Sequence, residues 1–227
     1  MNTEIIRRSG QRSILQSSRS ERRYSAGQLF LIIVLILCPA LLLSRQPAYA
    51  GEPTDQLKQS VDAVIETLKN KELKRPGKEA ERRAELRKII YARFDFHEMA
   101  KRALALNWRK RTPEEQKDFV PLFADLLEST YLKKIERYHN ERVVYGAESV
   151  DDGYATVKTK IITRENTEVP VDYRLMKEDA KWLVYDVTIE GVSLVANYRT
   201  QFNEIIRSGS YQDLVNRLKK KQIKEPR

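Results

Sequence analysis

Acid–base chemistry in this 227-residue chain would have to be carried by two histidines, His97 and His139, and by a large stock of carboxylates. Catalysis needs a nucleophile, a base and a third group that orients them. His97 falls at the second position of a predicted helix and His139 near the end of another, places where a solvent-facing residue is the simpler reading. No histidine pair stands at metal-ligand spacing. The one cysteine, Cys38, lies far upstream in an apolar run, so a structural zinc site lacks its usual ligands. There is no phosphate-binding glycine loop and no serine elbow. Neither a metal nor an organic cofactor is expected. Paired acids would still serve glycosidase-type chemistry, and Asp186 stands out because the strand around it is otherwise apolar. Two readings of Asp186 are open: inward pairing with an arginine such as Arg199, or a strand-end position. Nothing in the sequence asks for an enzyme.

The elements that would position these residues follow from hydrophobic period. Leu57, Val61, Val64, Ile65 and Leu68 share one face of a helix over 54–70. Pro76-Gly77 breaks the chain before a highly charged helix over about 78–92. In "FDFHEMAKRALAL", Asp95 and Glu98 have the spacing of a capping box. In "TPEEQKDFVPLFADLLESTYLKKIERY", Thr112, Pro113 and Glu115 repeat it, and Pro121 is expected to kink the helix that follows. From Arg142 the period falls to 2. Four strands are predicted: one around "ERVVYGAESV", one with Ala155, Val157 and Ile161 opposed to Lys158 and Lys160, one with Val169, Val171, Tyr173 and Leu175 alternating against charges, and "KWLVYDVTI". Pro170 should require an edge or a bulge. Gly191 then allows a sharp turn, Ser193 caps a helix bearing Leu194, Tyr198 and Phe202, and Ser210 with Asp213 caps a last one. The short turns favour an antiparallel meander. The class is α+β: an antiparallel, about four-stranded curved sheet covered by N- and C-terminal helices.

Residues 29–43, "LFLIIVLILCPALLL", follow an arginine-rich segment and precede Ala48-Tyr49-Ala50, the small-x-small pattern of signal-peptidase sites. This run is shorter than the roughly 20 residues of a bilayer span. Residues 1–50 therefore read as a signal peptide with a long basic start, cleaved after Ala50, with an uncleaved anchor as the alternative. Export follows from that reading. Residues 51–227 read as one domain without cysteine, held by core burial alone. They keep 35 Lys or Arg against 30 Asp or Glu, a mild surplus that favours anionic partners. No arginine-and-aromatic surface for nucleic acid is present, and none is expected as a partner.

Periodicity alone stops at an α+β domain with a generous apolar inventory. "IEGVSLVANYRTQFNEIIRSGSYQDLVNRL", together with the two capped-helix segments, Phe94-Asp95-Phe96, Trp108 and Tyr131, resembles the MlaC family, also called the toluene-tolerance auxiliary family. The likeness covers nearly all of residues 51–227, and order and spacing carry it more than any one motif. It departs at Ala105, where the family's leucine-glycine element has glycine, a change expected to be cheap because alanine favours helix. Pro121 is also unusual.

The resemblance implies an apolar pocket between sheet and helices that binds the acyl chains of a glycerophospholipid. It implies a periplasmic phospholipid carrier between an outer-membrane lipoprotein–porin complex and an inner-membrane ABC transporter with an MCE-domain protein, maintaining outer-membrane lipid asymmetry. Bound phospholipid is then cargo, not cofactor. The pocket candidates are Val143, Tyr145, Val157, Ile161, Val171, Tyr173 and Leu175 from the strands, with Leu122, Leu126, Tyr131, Leu194 and Tyr198 from the helices. Arg199 is a candidate headgroup or partner contact. A bulky polar residue at Val171 or Leu126 is expected to lower lipid recovery without unfolding the protein. The rival readings are a small pocket enzyme of cone-like α+β fold, using a pair such as Asp186 with His97, and a non-lipid envelope adaptor with a filled core.

Overall fold

The computed structural model describes residues 51–223. The predicted leader, with its apolar run and cleavage site, lies outside the described residues. The elements run α1 (Glu52–Lys69), α2 (Glu79–Arg93), α3 (Phe96–Leu104), a 3₁₀ segment (Ala105–Lys110), α4 (Pro113–Glu136), β1 (Arg142–Asp151), β2 (Tyr154–Ile162), β3 (Glu168–Glu178), β4 (Lys181–Ile189), β5 (Val192–Ser193), α5 (Leu194–Ser208) and α6 (Tyr211–Lys219). The strands form one antiparallel sheet in chain order, an α+β architecture.

The fifth strand is a two-residue addition to the four read from period. Glu190 and Gly191 both hold positive φ, 50° and 83°, and fold β5 back so that Ile189 pairs with Val192. Two positive-φ residues in a two-residue loop are what a tight hairpin demands. The register slips between Tyr145 and Glu148 in the β1–β2 pair. It slips again where Arg174 and Leu175 face Asp186 and Val184. Such bulges bend the strands that carry them. Pro170 corrects an expectation, for it lies in β3, an inner strand. Its carbonyl accepts from the Glu190 amide in the turn at 3.0 Å, and the β3–β4 ladder begins only at Val171. The missing N–H therefore falls beyond the last paired position.

Helix starts follow the local signals. Thr112 and Glu115 form a complete capping box, Ser193 caps α5 through the Ala196 amide, and Ser210 caps α6 through that of Asp213. Asp95 accepts from the Glu98 amide, but the return half of that predicted box is replaced. Glu98 turns to Lys101 and Arg102, at 2.9 and 2.8 Å. Helix α4 continues through Pro121 to Glu136. The proline is exposed, which leaves the carbonyl it cannot serve within reach of water.

Ala105 is a second correction. It ends α3 at φ 49°, ψ −120°, a region that only glycine enters without strain. Alanine's helix preference is irrelevant there, because its own backbone angles are not helical although it opens the 3₁₀ segment. Strain of this kind costs about 1–3 kcal/mol, part of which glycine returns through its freer unfolded chain. Ala105→Gly is expected to stabilise by about 1 kcal/mol, raising Tm by roughly 2–4 °C. A lower Tm in a melting scan would contradict the assignment.

Among the described residues three buried clusters hold the fold. The sheet cluster includes Leu57 of α1, Val157, Val171, Leu175, Val184 and Leu194. A helical cluster spans α3 to α6, and in it Phe119 and Phe123 of α4 meet Phe202 of α5, and Phe123 also meets Tyr198, edge-on at 5.6–5.8 Å, a favoured aromatic geometry. Leu68, Leu86 and Leu132 bind α1, α2 and α4 together. Outside that last cluster Glu136 receives Arg82 at 3.0 Å and Arg83 at 2.9 Å, with its side chain only 10% exposed. The Arg83 hydrogen bond, followed by that of Arg82, lowers the Glu136 pKa below the ordinary glutamate range. A carboxylate with a depressed folded pKa stabilises above its unfolded pKa, and that contribution fades as pH falls through the folded value. Glu136→Gln should cost about 1–3 kcal/mol at neutral pH. The gap from the parent should close as the medium is acidified below the glutamate range, as read by denaturant melts at several pH values.

Candidate functional site: the inner sheet face

Alternation places one set of strand side chains on the inner face. Tyr145, Thr159, Val171 and Ile189 stand in one paired row, and Glu148, Val157, Tyr173 and Val187 in the next. Lys158, Lys160 and Asp172 point to the other side, as the sequence predicts. Helix α1 lies over the inner face. Its start is fixed by Glu148, whose Oε2 accepts from the Thr54 amide at 2.8 Å and the Thr54 hydroxyl at 2.6 Å. At its side Arg93 donates to the Trp182 carbonyl, to Gln56 and to Ser60, tying α1 and α2 to β4.

Under α1 the floor is closed: Val157, Leu175 and Val184 have no exposure. Around it Val61, Tyr131, Tyr145, Ile161, Val169, Tyr173 and Ile189 are only partly buried against the same cluster. Val143 is half-buried beside Ile161. Tyr173 keeps accessible surface, yet burial pushes its phenol up to about 12. Its neighbours there are the apolar side chains of the sheet cluster. Burial, with Tyr173 as a lesser influence, raises the Tyr145 phenol as well. The Tyr145 hydroxyl is buried without a hydrogen-bond partner among the described residues.

The predicted pocket residues divide between two clusters. Val157, Val171, Leu175 and Leu194 are buried in the sheet cluster, with Tyr145, Ile161 and Tyr173 packed against it. Leu126 and Tyr198 belong to the helical cluster, and Leu122 packs against that one. Tyr131 touches both. Asp186 is buried, but its partner is not Arg199. It accepts from the Ser193 hydroxyl at 2.7 Å and the Val195 amide at 3.1 Å, with Arg174 at 3.7 Å. His97 is exposed and meets the edge of Trp108. Among the described residues no cluster of His, Cys, Asp or Glu could hold a metal ion, and no helix is long and apolar enough to cross a membrane.

A separate cavity of about 420 Å³ opens between Arg174, Tyr185 and Asp186 on one side and the α3–3₁₀ and α5 segments on the other. Of the predicted site residues Arg199 alone lines it. Arg102, Arg109 and Arg174, its other arginines, carry no local motif and come from distant segments, so the sequence gives no signal for them.

A family model described as MlaC protein matches residues 58–220. The chain belongs to the MlaC family. Among curated members, the toluene tolerance protein ttg2D of Pseudomonas putida is 26% identical over 187 residues, covering 81% of this chain and 84% of that one. The intermembrane phospholipid transport system binding protein MlaC of Haemophilus influenzae is 19% identical over 195 residues, covering 83% and 90%. Among solved structures, a phospholipid-binding protein from Ralstonia solanacearum, determined in complex with a phospholipid, superposes with a TM-score of 0.67 at 28% identity. It spans 75% of this chain and 96% of its own. The Gly191–Phe202 stretch that carries the resemblance is, in the MlaC fold seen here, the β5–α5 corner joining the sheet to the helical cluster.

Proposed function

We propose that this protein is a phospholipid carrier, a non-enzymatic one, whose inner sheet face receives glycerophospholipid acyl chains. The similarity to the Ralstonia solanacearum protein in complex with a phospholipid carries this reading. The half-buried row around Tyr145, Ile161, Val169 and Tyr173 supports it. Burying one methylene contributes about 0.8 kcal/mol, so some 30 acyl carbons contribute on the order of 20 kcal/mol before opposing terms. Water is a barrier of that height to a free lipid, and a dry wall removes it. Val143, Val157, Val171, Leu175 and Leu194 belong to the wall or floor of this space, and Tyr131 closes it toward the helices. Leu122, Leu126 and Tyr198 support it from behind, in the helical cluster.

In this reading residues 1–50 are a cleaved signal peptide and residues 51–227 a single lipid-binding domain in the periplasm. It exchanges lipid with an outer-membrane lipoprotein–porin complex and an inner-membrane ABC transporter with an MCE-domain protein, and so maintains outer-membrane lipid asymmetry. The test is mass spectrometry of organic extracts of protein recovered from cells expressing the full chain. Glycerophospholipid near one molecule per protein is expected. Protein that is folded yet yields no lipid would overturn the proposal.

A further inference from the structure

Arg174 precedes inward-facing Leu175, so its side chain lies on the outer face of the sheet, opposite Asp186 in the ladder. The cavity of about 420 Å³ beside this pair gathers Lys101, Arg102, Arg109, Arg174 and Arg199 around one carboxylate, Asp186. Its size is that of a small-molecule site. The charges are unequal in their commitments. Lys101 and Arg102 are held by Glu98, and Arg102 also lies 4.1 Å over the Tyr185 ring, which fixes its plane. Asp186 is occupied with Ser193 and Val195 and reaches Arg174 only at 3.7 Å. Arg109 and Arg199 have neither an ion pair nor a side-chain hydrogen bond among the described residues, and both are exposed.

Guanidinia left unpaired around a concavity focus a positive potential there. Their planar forks match phosphate oxygens two at a time. The α5 helix end adds little by direct bonding, because the Val195 and Ala196 amides are already taken by Asp186 and Ser193. The arginines therefore carry the recognition. Leu106 stands at the rim, 73% exposed, an apolar lip next to the cations.

We infer that this outer-face cavity binds a phosphate ester, a ligand separate from any acyl chain on the inner face. The shared chemistry is a phosphate group, presented either by an anionic lipid headgroup in a bilayer or by a soluble ester. The inference does not depend on the acyl-chain proposal, since it concerns the opposite face of the sheet and is measured without reference to cargo.

Protein recovered from cells expressing the full chain is titrated with glycerol 3-phosphate while the arginine Nε–H resonances are followed by NMR. Saturable shifts at Arg109 and Arg199 are expected. The double variant Arg109→Gln/Arg199→Gln should bind at least tenfold more weakly, with the two single variants read instead if the double variant melts early. Co-sedimentation with vesicles of phosphatidylcholine containing phosphatidylglycerol, but not of phosphatidylcholine alone, assigns the phosphate to a lipid headgroup when the same variant abolishes it. Binding of glycerol 3-phosphate without such co-sedimentation assigns it to a soluble ester. No saturable shift in the parent protein, or equal affinity in the variants, would overturn the inference. So would preferential binding of a hexaglutamate peptide, which would make the cavity a dock for an acidic protein segment.

Discussion

Asp186→Ala will destabilise this protein by about 2–4 kcal/mol, lowering Tm by roughly 5–15 °C for a domain of this size. The carboxylate sits 3% exposed and satisfies two donors at the start of α5, the Ser193 hydroxyl and the Val195 amide. Ser193 in turn caps the Ala196 amide at 3.0 Å. One side chain on β4 thereby holds the corner at which sheet becomes helix. Hydrogen bonds to a charged acceptor contribute about 1.5–3 kcal/mol, and a buried donor left without a partner adds its desolvation. The negative charge also faces the positive end of the helix. Ser193→Ala, which removes only the cap, should cost about 1 kcal/mol. Asp186→Asn, which keeps the shape and one acceptor, should fall between them. Thermal and urea melts check all three. A loss below 1 kcal/mol for Asp186→Ala would mean that water serves the Val195 amide and that the corner does not depend on the carboxylate.

The second large effect concerns lipid. Tyr173→Asp is expected to reduce co-purified phospholipid at least tenfold, about 1.4 kcal/mol in binding, whereas Tyr173→Phe keeps it. Tyr173 lies on the inner face opposite Val157, partly exposed in a setting dry enough to push its phenol up to about 12. A short carboxylate there would be desolvated by an acyl chain, which is far costlier than desolvating a phenyl ring. The same dry setting also penalises the carboxylate without cargo, so lipid recovery is read only on protein whose melt shows it folded. Val171 and Leu126, the positions the sequence recommends for such a test, are unsuitable. They are 4% and 7% exposed, and a bulky polar group at either would break a packed cluster before it reported on cargo. Lipid loss with an unchanged melt for Tyr173→Asp supports the account. Full lipid recovery would place the chains elsewhere.

What the sequence shows of the fold is what local physics decides. Thr112, Ser193 and Ser210 cap the helices read from them because an N-cap acts within three residues. Val157, Val171, Tyr173 and Leu175 share a face because strand period is 2. Features made by distant residues stayed hidden. Glu148 steadies the start of α1 from 94 positions away, and no spacing rule reaches that far. Asp186 leaves two readings open in the sequence, an arginine partner such as Arg199 or a strand end, and the hairpin at Glu190-Gly191 instead brings Ser193 and Val195 onto it. Ala105 looks harmless by helix propensity, and only the backbone angle shows why glycine is favoured there. The candidate site is half legible for the same reason. Alternation picks out the strand wall, while helix period cannot tell that Leu122, Leu126 and Tyr198 face the helical cluster and Tyr131 both clusters. The basic cavity was invisible, since its arginines come from α3, the 3₁₀ segment, β3 and α5.

The most direct test of the central claim is photocrosslinking with a phospholipid bearing a diazirine midway along one acyl chain, loaded onto the protein and mapped by mass spectrometry. The account predicts adducts on Tyr145, Ile161, Val169 and Tyr173 of the sheet and on Val61 or Tyr131 of the helices above it. Adducts confined to the outer face near Leu106, or no adducts from a protein that still folds, would contradict it.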